Sequence, residues 1–405
     1  MIRKLKNIFH LGEAAVGHLV YRFPARKLKI IGVTGTDGKT TTTSLIYHIL
    51  TKSGRKASMI STVAAKLGTK EYDTGFHVTT PGRHRIPKFL RASVDNGDEF
   101  FVLEITSHAL DQNRAWGLSF VAGVITNITH EHLDYHKTYD NYVRAKAKLL
   151  LKSRTAIINH DDQSYPFLRE VLDAAGKEFI TYGIKQQSDV MVDIAKHFPP
   201  DMPEFNQYNY LAAYAVCREV GIADGDIFAA MKTYTLPVGR LDVVQADGVK
   251  VLIDFAHTPN SIDQLLKAVK GARDTKGRII HVFGAAGLRD FTKRPLMGEA
   301  SGAWADIVIL TEEDYRTEDP VEIAETIAAG LKKRGFTLAD DLNRSKEYTV
   351  IIDRADAIKR AITIARPNDI VVITGKGHEK SLCRGKTEYP WDDREAVVKE
   401  IDRKV

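Results

Sequence analysis

The chain has 405 residues, 43% hydrophobic and 27% charged, with a formal net charge of +6. That is the composition of an ordinary folded protein of two or three domains, and it excludes a disordered or fibrous chain. Two cysteines far apart, Cys217 and Cys383, exclude a disulfide scaffold and fit a reducing cytoplasm, and no apolar run reaches the ~20 residues of a transmembrane helix.

In chain order, the first expected element is a basic amphipathic helix over 1–27. Arg3, Lys4, Lys6, Arg22, Arg26 and Lys27 interleave with Ile8, Phe9, Leu11, Val16, Leu19, Val20 and Phe23, without the long apolar centre of a secretory signal. Two readings stay open: peripheral contact with an anionic membrane surface, or an apolar side packed on the first domain, which we favour. The positive charge suits a polyanionic small substrate. No aromatic-basic alternation marks a single-strand binder, so no nucleic-acid partner is expected.

An apolar strand, Leu28–Val33, then leads into Gly35, Thr36, Asp37, Gly38, Lys39, Thr40 and Thr41, and a helix follows over Thr42–Leu50. Strand, glycine-bearing loop, Lys-Thr and helix is how proteins hold nucleoside triphosphates: loop N–H groups cradle phosphate, the lysine bridges the outer phosphates and the threonine hydroxyl meets Mg²⁺. The usual pattern has a glycine five residues before Gly38, where this chain has Val33.

Further strands are expected at Ala57–Val63, Phe100–Leu103, Val121–Ile125 and Thr155–Ile158. A second series covers Lys250–Ile253, Arg278–Phe283, Ile307–Leu310, Tyr348–Ile352 and Ile370–Ile373. Helical patterns at Tyr139–Leu151, Ser261–Val269, Val321–Lys332 and Ala355–Ala365 alternate with them. The fold class is therefore α/β: a central P-loop ATPase domain with a mostly parallel sheet, 28–238, and a C-terminal Rossmann-like domain, 239–405, divided at the Pro237–Arg240 turn. Ligands in such sheets sit at strand carboxyl ends.

The chemistry-bearing residues lie there. Glu104 ends one strand and is followed by Thr106, Gln112 and Arg114; Asn127, His130, His132 and His136 follow the next, and Lys146 sits in the helix after them. A carboxylate beside a nucleotide loop is a natural Mg²⁺ ligand. The histidines lack the one-face helical spacing of a zinc site. Alone, Lys146 reads as a solvated lysine beside Lys148 and Lys152.

With Phe205–Asn209, Asp254–Pro259, Gly287–Asp290, Lys293–Pro295 and Thr374–Glu379 in this order, the chain from Lys29 to Val405 resembles the Mur ligases. Within them it is most similar to the UDP-N-acetylmuramoyl tripeptide synthetases. The resemblance implies an ATP-dependent ligase that phosphorylates a substrate carboxylate and lets an amine displace the phosphate. It implies Lys39, Glu104, His132 and Lys146 as catalytic residues, and Mg²⁺ held by Thr40, Glu104, His132 and a carbamylated Lys146. The phosphate loop, Asn127 and His257 would bind nucleotide, though His257 could equally cap the helix at Pro259. Thr79, Thr80, Thr106, Gln112 and Arg114 would contact a muramoyl-peptide precursor, with an Arg114–Asp111 surface pair as the plainer reading of that arginine.

The free amino acid would meet Arg289, Glu313, Asp314, Tyr315, Arg316, Gly375 and Glu379. Members adding meso-diaminopimelate carry Asp-Asn-Pro-Arg where this chain has Glu313-Asp314-Tyr315-Arg316. Arg316 favours a distal carboxylate and hence diaminopimelate over L-lysine, whereas the extra charge of Asp314 favours a more cationic substrate. Familiar members also have a whole domain before the phosphate loop, where about thirty residues stand here. UDP would then be held differently, be absent from the substrate, or be contacted by another chain, and a lipid-linked precursor is conceivable. Competing readings are a folate- or poly-amino-acid-extending ligase and a non-catalytic nucleotide-binding subunit.

Overall fold

A computed structural model describes residues 12–68, 70–73, 80–82, 85–246, 248–272 and 277–404. By their contacts they form two units, Met1–Thr129 with His136–Pro237, and His130–Tyr135 with Val238–Val405.

The first unit is built on eight strands: β1 (Lys29–Thr34), β2 (Ala57–Ile60), β3 (Ala64–Leu67), β4 (Lys70–Asp73), β5 (Phe100–Glu104), β6 (Phe120–Ile125), β7 (Ser153–Asn159) and β8 (Phe179–Tyr182). Their order is β4-β3-β2-β5-β1-β6-β7-β8, with β3 alone running opposite to the others. The apolar runs are continuous because both faces are covered. Ile31, Val33, Val102 and Val124 pack under helices Lys39–Lys52 and Glu204–Glu219, while Ile30, Phe101 and Leu103 pack under Leu90, Leu110 and Leu149 on the other side. With β1 between β5 and β6, and Val33 in register with Glu104 and Val124, three carboxyl ends open side by side. The expected strand Ala57–Val63 is instead broken at Ser61, whose N–H donates to the Ala64 carbonyl in a turn that starts antiparallel β3.

The second unit holds β9 (Asp242–Ala246), β10 (Val249–Asp254), β11 (Ile279–Phe283), β12 (Ile307–Leu310), β13 (Thr337–Leu338), β14 (Glu347–Val350) and β15 (Ile370–Thr374), in the order β13-β14-β12-β11-β15-β10-β9. Only β9 runs antiparallel. Leu265, Met297 and Ile327 cover one face, Ile358, Ile362 and Val397 the other. A separate hairpin, β16 (Ser381–Arg384) with β17 (Thr387–Pro390), follows.

The amino-terminal expectation needs correction. A helix spans 12–20, followed by a turn and a 3-10 helix, Pro24–Lys27; residues 1–11 lie outside the described residues. The helix does pack on the first unit, but through Ala14, Gly17 and His18, with the His18 ring near Trp116 and over Gly117. Its larger aliphatic side chains, Val16, Leu19 and Val20, are exposed. No helix among the described residues is long and apolar enough to cross a membrane.

Candidate active site

The loop between β1 and helix Lys39–Lys52 is shaped so that backbone crowds where side chains would otherwise sit. Gly38 has φ 80°, and a Cβ there would fall 2.1 Å from Asn209 Oδ1; one at Gly35 would fall 1.8 Å from Thr126 Oγ1. The end of β6 pins the loop. Thr126 Oγ1 donates to the Asp37 carbonyl (2.7 Å), Asp37 N–H donates to Asn127 Oδ1 (2.9 Å), and Thr36 N–H donates to the Asn127 carbonyl (2.8 Å). Gly38 caps the helix without a side-chain hydrogen bond, and a helix N-terminus of this kind favours an anion. Thr41 lies buried in that first turn. The Lys39 ammonium is folded onto the Thr36 carbonyl at 2.7 Å.

Behind the loop, Glu104 is fully buried. Its carboxylate accepts from Thr40 Oγ1 at 3.1 and 3.2 Å, from Thr62 N–H at 2.8 Å and from Thr62 Oγ1 at 2.9 Å. A carboxylate and a hydroxyl converging beside a phosphate loop fit the hard-oxygen donors of Mg²⁺. Among the described residues no three His, Cys, Asp or Glu side chains gather into a metal cluster.

Lys146 is 1% exposed; its Nζ donates to the Gly35 carbonyl at 2.5 Å and lies 4.6 Å from the Tyr142 ring centroid. The solvated-lysine reading is therefore overturned. Two helical steps turn Lys148 away, toward Asp111 at 3.0 Å, while Lys146 points inward to the loop. Thr62 and Tyr142, whose hydroxyl is 3.2 Å from Thr36 Oγ1, escaped the sequence reading. Neither belongs to a motif, and only the strand order brings them in.

The candidate precursor contacts form one network on the end of β5. Thr106 N–H donates to Thr80 Oγ1 (3.0 Å), which donates to the Glu104 carbonyl (3.3 Å), and Thr106 also caps helix Ser107–Asp111. Arg114 donates to the Thr80 carbonyl (2.9 Å) and to Gln112 Oε1 (3.1 and 2.8 Å). It thus ties the network together, while Asp111 pairs with Lys148. Thr79 lies outside the described residues.

His132 belongs to the short segment grouped with the second unit, in left-handed backbone at φ 57°, its Nδ1 3.6 Å from Glu131 Oε1. Glu131 makes a buried pair with Lys293 (3.2 Å), which also donates to the His257 carbonyl (3.0 Å). Leu133 N–H donates to Asp290 Oδ2 (3.1 Å). At the start of the next helix Thr258 and Ser261 bond reciprocally, each N–H donating to the other's hydroxyl at 3.0 Å. The His257 ring tilts against Phe255, with Nδ1 3.0 Å from the Phe255 carbonyl.

The carboxyl ends of β12 and β15 bring Glu313–Arg316 and Gly375–Glu379 together. Glu313 is buried beside Gly375, and its Oε2 finds no hydrogen-bond partner among the described residues. Burial pushes its carboxyl up to about 7, against the pull of Lys376 and with the push of Asp314. Lys376 is fully enclosed and pairs with Asp314 (2.7 Å) and Glu379 (2.5 Å). Burial opposes its charge, but Glu379, Asp314 and Glu313 outweigh it and hold its pKa above normal. Asp314 Oδ1 also accepts from Cys383 N–H (3.0 Å). Arg316, half-buried at φ 55°, donates through one terminal nitrogen to the Gly287 carbonyl (2.7 Å), and the other stands 3.8 Å from Asp314. Tyr315 is half-buried beside it, and Arg289 is exposed on the loop after β11.

The Mur ligase middle domain matches residues 33–217, and the Mur ligase glutamate ligase domain matches residues 239–377. The UDP-N-acetylmuramoyl-L-alanyl-D-glutamate–2,6-diaminopimelate ligase 1 of Clostridium acetobutylicum is 34% identical over 96% of this chain and 82% of its own length. The corresponding ligase of Aquifex aeolicus is 37% identical over 96% and 80%. A solved diaminopimelate ligase of that name aligns with TM-score 0.59 at 29% identity, over 93% of this chain and 79% of the other.

Proposed function

The chain belongs to the Mur ligase family of ATP-dependent amide-bond ligases, and we propose that it joins meso-diaminopimelate to the D-glutamyl carboxyl of a muramoyl dipeptide, in the cytoplasm. The γ-phosphoryl of ATP passes to a carboxylate oxygen and ADP leaves. The amine then attacks the acyl carbon, sheds a proton and expels phosphate.

The first reactants are both anions, so the loop N–H groups and Lys39 have the task of drawing phosphate oxygens into place. Thr40 and Glu104 would hold Mg²⁺, which supplies charge neutralisation between the two anions. Lys146, enclosed against the loop, suits carbamylation: CO₂ would turn a repelling ammonium into an oxygen donor. The Thr80–Thr106–Gln112–Arg114 network would grip the precursor.

The observation that carries the choice of amino acid is the Asp314–Lys376 pair. The charge that Asp314 adds relative to asparagine is turned onto the Lys376 ammonium at 2.7 Å, which Glu379 shares, so it is directed at the pocket wall and does not by itself call for a more cationic substrate. Arg316 keeps guanidinium donors for a distal carboxylate, and Glu313 offers an unpartnered oxygen to an ammonium. Phosphate release and product mass, measured with ATP, UDP-N-acetylmuramoyl-L-alanyl-D-glutamate and an amino-acid panel, test the reading. Turnover with diaminopimelate supports it; turnover with L-lysine or glutamate in its place overturns it.

A further inference from the structure

The helix at 12–20 buries Ala14, Gly17 and His18 and exposes its larger aliphatic residues. Val16 is 56% exposed, and Leu19 and Val20 are each 66% exposed. At about 100° per residue these three fall within one third of the helix circumference, opposite Ala14, Gly17 and His18. The stripe is continuous with a cationic turn, where Arg22, Arg26 and Lys27 are all exposed.

Charge along the chain is concentrated in the same stretch of sequence. Residues 1–34 contain seven Lys and Arg (Arg3, Lys4, Lys6, Arg22, Arg26, Lys27 and Lys29) against one acid, Glu13, a net +6. That equals the formal charge of the whole protein, so residues 35–405 are balanced. The ligase chemistry does not need this excess, because the phosphate loop and the amino-acid pocket both lie in the balanced portion.

We infer that the Val16–Leu19–Val20 face and the Arg22–Arg26–Lys27 turn form a docking surface for an anionic lipid bilayer. An aliphatic stripe beside a cationic rim is what a helix lying in the headgroup layer presents. Each basic residue near such a surface adds attraction that an uncharged surface does not give. A folded protein partner could meet the aliphatic stripe alone; the lopsided charge selects a polyanionic sheet. The inference stands apart from the amino-acid reading, since no residue of the ligase site takes part.

Flotation of the full chain with phosphatidylglycerol and with phosphatidylcholine vesicles tests it. The wild type is expected to partition at least ~10-fold better onto the anionic vesicles. Val16→Ser/Leu19→Ser/Val20→Ser should lose at least ~10-fold in that partitioning, and so should Arg22→Gln/Arg26→Gln/Lys27→Gln, each with an unchanged melting temperature and ATP turnover. Equal partitioning onto both vesicle types overturns the inference, as does anionic partitioning untouched by both variants. Binding of a short RNA, or self-association in the ultracentrifuge, that is lost in the aliphatic variant would assign the face to that partner and equally overturn it.

Discussion

Replacing Glu313 with glutamine should stabilise the second unit in a pH-dependent way. An unburied glutamate titrates near 4.5, whereas burial holds Glu313 at about 7 in the folded protein. Below pH 4.5 both states carry the proton and folding loses nothing. Between 4.5 and 7 the unfolded chain releases it while the folded chain retains it, so stability falls as pH rises, and above 7 the loss levels off. A gap of that size corresponds to about 3 kcal/mol at pH 8 and under about 1 kcal/mol at pH 5. Glutamine carries no charge and escapes the penalty, so Glu313→Gln should gain about 2–3 kcal/mol more at pH 8 than at pH 5. For a unit of this size that is roughly 5–10 °C in melting temperature. Thermal melts of both proteins at the two pH values measure it. An equal gain at both pH values, or destabilisation at pH 8, would refute the argument that a buried, unpartnered carboxylate is held there at a thermodynamic loss.

Three other outcomes follow from the site. Lys146→Ala should abolish amino-acid-stimulated phosphate release, and short carboxylic acids should restore part of it; undiminished release without them would remove the carbamate from the mechanism. Arg316→Ala should raise KM for diaminopimelate by about 10²-fold with a smaller change in kcat, the pattern of a lost charged contact to a substrate group away from the bond being made, read from steady-state phosphate release. Thr62→Val removes the hydroxyl that donates to Glu104 at 2.9 Å and should weaken Mg²⁺ activation about 10-fold, seen as a shift in the Mg²⁺ dependence of turnover.

The strands were legible because both faces of each sheet are covered, which leaves runs such as Ile307–Leu310 uninterrupted; that strand falls at its expected bounds, as does helix Tyr139–Leu151. The edge strands β4 and β9, and β3 beside β4, were not legible, being mixed with Lys, Glu and Asp. Val33, the apparent defect in the phosphate loop, has a physical account: it is still inside β1, buried and in register with Glu104, so the loop begins only at Gly35.

What the sequence could not yield is pairing across distance. Asp314 and Lys376 are 62 residues apart and Glu131 and Lys293 are 162 apart, and nothing local to any of the four marks a partner. Asp314 shows why this matters for function. Read as a single substitution, it adds a negative charge to an amino-acid pocket and argues for a cationic substrate. Read with Lys376 at 2.7 Å and the Cys383 N–H at 3.0 Å, it is a partnered part of the pocket wall. Specificity then falls to the groups whose donors or acceptors remain open, Arg316 and Glu313. Asp314→Asn offers the direct check. It would leave Lys376 with Glu379 as its remaining close anion, so it should destabilise the unit while leaving the preference for diaminopimelate over lysine intact, and a reversed preference would mean that the Asp314 charge does reach the substrate.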